Sequence, residues 1–134
     1  MILGVDIGGS HISSALVKPG DTATILDHSF TRRKIHSSAE SADIILTEWA
    51  DAIHDSLKEL NGHVLQGIGI AMPGPFDYVN GISLIEGVNK YNALYGINIK
   101  EALKNQLNIE YDLPIIFEND ASCFGLGECI CGEA

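Results

Sequence analysis

Three short segments of this chain carry residues whose types and spacing suit chemistry, and each follows an apolar run. The first is Asp6-Ile7-Gly8-Gly9-Ser10, where a carboxylate precedes two glycines. Backbone N–H groups at such glycines can face an anion without obstruction by a Cβ, and the carboxylate can hold a hard divalent cation directly or through water. That combination suits a nucleotide triphosphate; the competing reading is a tight hairpin turn with one surface Asp. The second segment is Met72-Pro73-Gly74-Pro75, and the third is Glu118-Asn119-Asp120. Taken singly, the second is a turn and Asn119-Asp120 is a helix N-cap pair. Cys123, Cys129 and Cys131 are an odd set crowded into one stretch, which is not a disulfide framework. Cys129-x-Cys131 lacks the further Cys or His ligands of a zinc site, so the three read as structural thiols.

The elements that must position these segments follow from the apolar pattern. Residues 1–7 read as a buried strand, 11–17 as a second strand, and 22–31, after the Pro19-Gly20 turn, as a third. The result is an antiparallel meander, so Gly8-Gly9 differs from Rossmann and Walker loops, and no G-x-x-x-x-G-K-[ST] sequence occurs. Ser37-Ser38-Ala39-Glu40 has capping-box spacing. Leu46, Trp49, Ile53, Leu57 and Leu60 then form a helical stripe that packs into the core, with Asn61-Gly62 as its stop. Residues 64–72 suit a fourth strand buried on both faces, in which Gly67 and Gly69 allow close backbone approach. The segment 76–98 is irregular apart from a short strand over 81–85, with Glu86 and Lys90 as surface groups. A helix is expected over 99–107, a fifth strand over 114–117, and a further helix from Ala121 to about Cys131. With helical crossovers the first, fourth and fifth strands are parallel, and their carboxyl ends open on one edge, where ligands bind in such sheets. Asp6 and Asp120 then face one cleft.

The 134 residues make one domain, and 46% hydrophobic with 19% charged residues fits an α/β globular protein. No stretch approaches the roughly 18 apolar residues of a membrane span, and no secretory signal opens the chain. A formal net charge of −10 argues against nonspecific nucleic-acid binding, which depends on Lys and Arg. The basic cluster Arg32-Arg33-Lys34 is expected to be a solvated loop. The expectation is a cytoplasmic protein with small-molecule partners, contacting neither nucleic acid nor membrane.

Taken together, Val5-Asp6-Ile7-Gly8-Gly9-Ser10, the stretch from Gly67 through Met72-Pro73-Gly74-Pro75 to Phe76-Asp77, and Glu118-Asn119-Asp120-Ala121 with Gly127-Glu128 resemble the ROK family of sugar kinases and sugar-responsive repressors. The resemblance spans nearly the whole chain but only about the N-terminal half of a typical member. It implies a ribonuclease H-like/actin-like ATPase lobe, here an α/β five-stranded mixed sheet with flanking helices. Residues 1–117 form that lobe, and 118–134 form a hinge and first helix leading to a C-terminal lobe not included. By the match, Asp120 is the catalytic base that accepts a proton from a sugar hydroxyl as it attacks the γ-phosphate of ATP. Asn119 hydrogen-bonds the sugar, Gly74 brings backbone close to it, and Asn89 fills a further sugar contact. Gly8, Gly9 and Ser10 match the phosphate loop, Ser10 standing where Thr is common, and Asp6 matches the carboxylate near Mg2+.

The family's His and Cys-rich zinc segment is expected beyond residue 134, and Cys129-Ile130-Cys131-Gly132 sits too close to Asn119-Asp120 to be it. Zinc therefore belongs only to the absent lobe, as do the adenosine motifs and further sugar-binding residues. In the family a final helix returns to the N-terminal lobe, so this chain is expected to expose an apolar surface and to self-associate, as a homodimer or less specifically. Its abrupt end reads as truncation, with negligible kinase activity for the fragment alone. The leading expectation is the N-terminal lobe of an ATP-dependent hexose kinase, glucokinase-like. The alternatives are a sugar-sensing regulator lacking its DNA-binding domain, or a noncatalytic sugar-binding domain.

Overall fold

The structure is a computed structural model that describes residues 1–39, 41–87, 91–109 and 112–119. Its first strand, β1 (Ile2–Ile7), alternates strictly: Leu3, Val5 and Ile7 are buried, while Ile2 and Asp6 are exposed. The chain reverses through Gly8-Gly9-Ser10 into β2 (His11–Lys18), antiparallel to β1 with Ile7 opposite Ile12. The expected third strand is divided in two, β3 (Thr24–Ile25) and β4 (Thr31–Lys34), both paired with β2. Between them His28 has φ 71°, and the buried Ser29 hydroxyl accepts from the Leu16 N–H at 2.9 Å. A side chain thus takes over a bond that the ladder would make, and the strand breaks there. Arg32-Arg33-Lys34 is accordingly an edge strand and not a loop.

Helix α1 (Ala42–Leu57) continues through a 3-10 turn, Lys58–Leu60, and stops at Asn61 (φ 49°) and Gly62 (φ 89°). It buries Ile45, Leu46, Trp49, Ala52 and Ile53, each of the Ile and Leu side chains contributing about 1.5–3 kcal/mol. The capping box does not form: the helix begins after Ser41, whose side chain makes no cap, and Ser37 donates its hydroxyl to the Gly9 carbonyl at 2.6 Å. A tertiary partner has outcompeted the local one. A polar pin also fixes α1 on the sheet, where Ser56 Oγ meets Ser14 Oγ at 2.6 Å and donates to the Ser29 carbonyl at 2.7 Å.

Strand β5 (Gly67–Met72) is followed by the hairpin β6 (Phe76–Asp77) and β7 (Ile82–Ser83). Helix α2 (Ile99–Leu107) is capped by Asn98, whose side-chain oxygen accepts from the Glu101 N–H at 3.1 Å. Strand β8 (Ile115–Asn119) completes a sheet in the order β3-β2-β1-β5-β8, with β4 also on β2. Six strands therefore stand, among the described residues, where five were expected. Both β1–β5 and β5–β8 pairs are parallel.

One face of this sheet carries Leu3, Val5, Ile7, Leu16, Ile68, Ile70, Met72, Ile115 and Phe117 into a single core with α1 and α2. The opposite face holds Gly4, Ala15, Gly69, Ala71 and Ile116 and lines an open trough of about 1150 Å³. Gly67 and Ala71 on this face are buried with the rest of β5, as expected, and only Gly69 is half-buried, where an added Cβ would meet nothing within 4 Å among the described residues; Gly67 lies close to the Pro114 carbonyl. Ile25, Phe30 and Ile116 are exposed around this trough. No helix among the described residues is long and apolar enough to cross a membrane.

Candidate functional site

The register of the three parallel strands levels their carboxyl ends. Asp6 stands opposite Ala71, and Ala71 opposite Glu118; one residue further, Met72 stands opposite Asn119. With strands about 4.8 Å apart, the Asp6 and Glu118 backbones are separated by roughly 10 Å across β5. Asp6, Gly8-Gly9-Ser10, Pro73-Gly74 and Asn119 therefore gather on one edge of the sheet. Asp120 and Asn89 lie outside the described residues. So do all three cysteines and the helix expected from Ala121.

The turn at Gly8-Gly9 is held from several sides. The Gly8 N–H donates to the His11 carbonyl at 2.9 Å, and a Cβ on Gly8 would come within 3.3 Å of that oxygen. Close approach of the hairpin arms thus calls for glycine there independently of any ligand. Tyr91 donates its hydroxyl to the Gly8 carbonyl, and Ser37 donates to that of Gly9. The two braces are joined, since the Tyr91 N–H donates to the Ser37 carbonyl at 2.6 Å. Tyr91 is fully buried, packed edge-on against Trp49 with centroids 5.5 Å apart. Beside the turn the Ser10 hydroxyl and His11 Nδ1 share a hydrogen bond at 2.9 Å.

Asp6 projects an exposed carboxylate from β1 into the trough, which Ser13, Arg32 and Glu118 also line. Nearby, the Tyr78 hydroxyl donates to the Met72 carbonyl at 2.9 Å and accepts from the Asn119 amide at 3.3 Å. A Cβ on Gly74 would lie 3.4 Å from that hydroxyl. Tyr78 thereby links the second and third loops. No group of three or more His, Cys, Asp or Glu side chains suited to a metal is formed among the described residues.

Tyr78 and Tyr91 had no assigned role from the sequence, whereas Ser37 read as part of a capping box, Arg32 as part of a solvated loop, and Glu118 as a member of the third segment without a role of its own. Glu118 was legible from the two-residue period of its strand, which places it on the face of Asp6. Tyr78 and Tyr91, aromatics with hydroxyls in a Gly- and Asn-rich segment, were a weaker signal. Ser37 was concealed by the capping-box pattern.

Two shifted carboxyls lie away from this edge. Burial opposes ionisation of Asp55, but the Arg33 guanidinium and the Lys58 ammonium prevail and hold its pKa below 3.8. Asp77 is held below its usual value by the side chain and backbone N–H of Asn80 in the β6–β7 turn.

Comparison with solved structures places the fold among ROK proteins. A ROK family glucokinase from Streptomyces griseus, in complex with glucose and AMPPNP, superposes with a TM-score of 0.73 at 24% identity, covering 98% of this chain and 36% of that one. A ROK family protein from Streptococcus pneumoniae TIGR4 in complex with sucrose gives 0.65 at 28%, covering 98% and 38%. A ROK family transcriptional regulator, homologous to the Escherichia coli MLC protein, gives 0.71 at 18%, covering 99% and 32%. The chain thus spans roughly a third to two fifths of these relatives, and its fold is a lobe of their actin-like ATPase type. Among curated protein sequences none matches. The family model described as ROK family matches residues 2–134, and the chain belongs to the ROK family.

Proposed function

We propose that this chain is the N-terminal lobe of an ATP-dependent sugar kinase that transfers the γ-phosphate to a hexose hydroxyl. The observation that carries this reading is the levelling of β1, β5 and β8, which brings Asp6, Gly8-Gly9, Gly74 and Asn119 to one sheet edge. The residues present fit a nucleotide phosphate and a hard cation, because the turn offers backbone N–H groups and Asp6 an exposed carboxylate. ATP supplies the transferable phosphoryl group, and Mg2+ neutralises its charge.

The chain's own residues divide the remaining work. Gly9 and Ser10 would hold phosphate through backbone N–H groups, and Asp6 would hold the cation directly or through water. Asn119 and Gly74 orient the sugar, with Asn89 as a third contact. Asp120, the residue after Asn119, takes the proton from the attacking hydroxyl. A carboxylate suffices there because phosphoryl transfer depends chiefly on positioning and on charge stabilisation. The AMPPNP and glucose in the Streptomyces relative and the sucrose in the Streptococcus relative support small-molecule partners of these two classes. Nucleic-acid and membrane contacts form no part of this reading, and a cytoplasmic location does. The exposed apolar residues of the trough favour self-association of the isolated chain, which sedimentation at increasing concentration tests.

The likeness to a transcriptional regulator favours a second reading, a sugar-responsive regulator of the same family. A coupled ADP-release screen across a panel of hexoses and N-acetylhexosamines, with the full gene product, separates the two. Sugar-dependent ADP release supports the kinase; sugar binding without release supports the regulator.

A further inference from the structure

From the bracing of the first loop, and resting on the reading that this loop holds phosphate, we infer that Tyr91 and Ser37 are positioning residues for the nucleotide. A trans peptide unit points its carbonyl and its following N–H in opposite directions. Tyr91 pins the Gly8 carbonyl and Ser37 pins the Gly9 carbonyl toward the protein. The N–H groups of Gly9 and Ser10 are thereby turned the other way, and among the described residues neither has a protein acceptor. Beyond the Gly8 N–H bond to the His11 carbonyl, two glycine-containing peptides would otherwise have more than one orientation open to them, since glycine tolerates either sign of φ. The hydroxyl pair converts a flexible turn into a fixed pair of anion-facing donors.

The construction around the pair matches this role. Tyr91 adopts φ 58°, which a bulky residue rarely takes, and this turn of the backbone accompanies a side chain that reaches from residue 91 to residue 8. Its N–H grips the Ser37 carbonyl, so the two braces move as one unit. Tyr91 also stands two positions after Asn89, which links the segment proposed to touch sugar with the loop proposed to touch ATP. Loss of either hydroxyl is expected to weaken the nucleotide and leave the sugar unaffected.

The test uses the full gene product as wild type, Tyr91→Phe, Ser37→Ala and Ser37→Thr. Calorimetric titrations use ATP with Mg2+ and, separately, the sugar that gives most ADP release in the wild type. Tyr91→Phe keeps the ring against Trp49, so the fold is retained. Tyr91→Phe and Ser37→Ala are each expected to raise the Kd for ATP about threefold to tenfold, the worth of one hydrogen bond, with the sugar Kd within twofold. Ser37→Thr is expected to restore most of the affinity. Variants that bind ATP like the wild type, or lose both ligands equally, overturn the inference alone. A wild type that binds no ATP overturns the phosphate-loop reading, and this inference with it.

Discussion

The side-chain amide of Asn119 donates to the Tyr78 hydroxyl at 3.3 Å, and the same hydroxyl donates to the Met72 carbonyl at 2.9 Å. One phenol therefore sets the amide of β8 against the loop that leaves β5. Tyr78→Phe removes this link while preserving the ring contact with Phe76. The expected result is a sugar affinity about fivefold to tenfold weaker with ATP affinity unchanged, measured by titration of the full gene product.

Gly81 offers a test of the scaffold behind the site. It has φ 77°, its carbonyl accepts from the Ile99 N–H at 2.7 Å, and an added Cβ would lie 2.7 Å from Lys100 Cβ. Gly81→Ala is expected to cost about 2–4 kcal/mol, combining a left-handed backbone with a steric overlap at the start of α2. Gly87 has φ 74° but, among the described residues, nothing within 4 Å of an added Cβ, so Gly87→Ala is expected to cost about 1 kcal/mol. Urea unfolding of both variants measures the difference.

The sequence made the central sheet legible because its strands are apolar runs ended by Gly, Pro or Asn. The Ile7 to Ile12 hairpin and the parallel β1-β5-β8 order followed from spacing and from the helical crossovers. What it concealed was settled by contacts distant along the chain. Ser37 leaves its capping box for Gly9, and Ser29 interrupts a strand by binding Leu16. Arg33 completes an edge strand by pairing with Asp55 of α1. The glycines of the first loop were visible, but the hydroxyls that orient them were not, because Tyr91 lies 83 residues away.

Acid stability isolates the Arg33–Asp55 pair. The folded pKa of Asp55 lies below its unfolded value of 3.8, so the stabilisation is fully present above that value and is lost as pH falls through the folded pKa. Wild type is expected to lose more stability than Asp55→Asn between about pH 5 and pH 2, with a gap at neutral pH of no more than about 1 kcal/mol. Urea midpoints across that range measure it, and parallel slopes would exclude the contribution.

The central claim is that this sheet edge serves phosphoryl transfer, with Asp120 as the base. The most direct measurement is ADP release and sugar binding by Asp120→Asn in the full gene product. The expected result is sugar affinity close to wild type with turnover reduced by about 10²–10⁴-fold. Turnover near the wild-type rate would contradict the assignment.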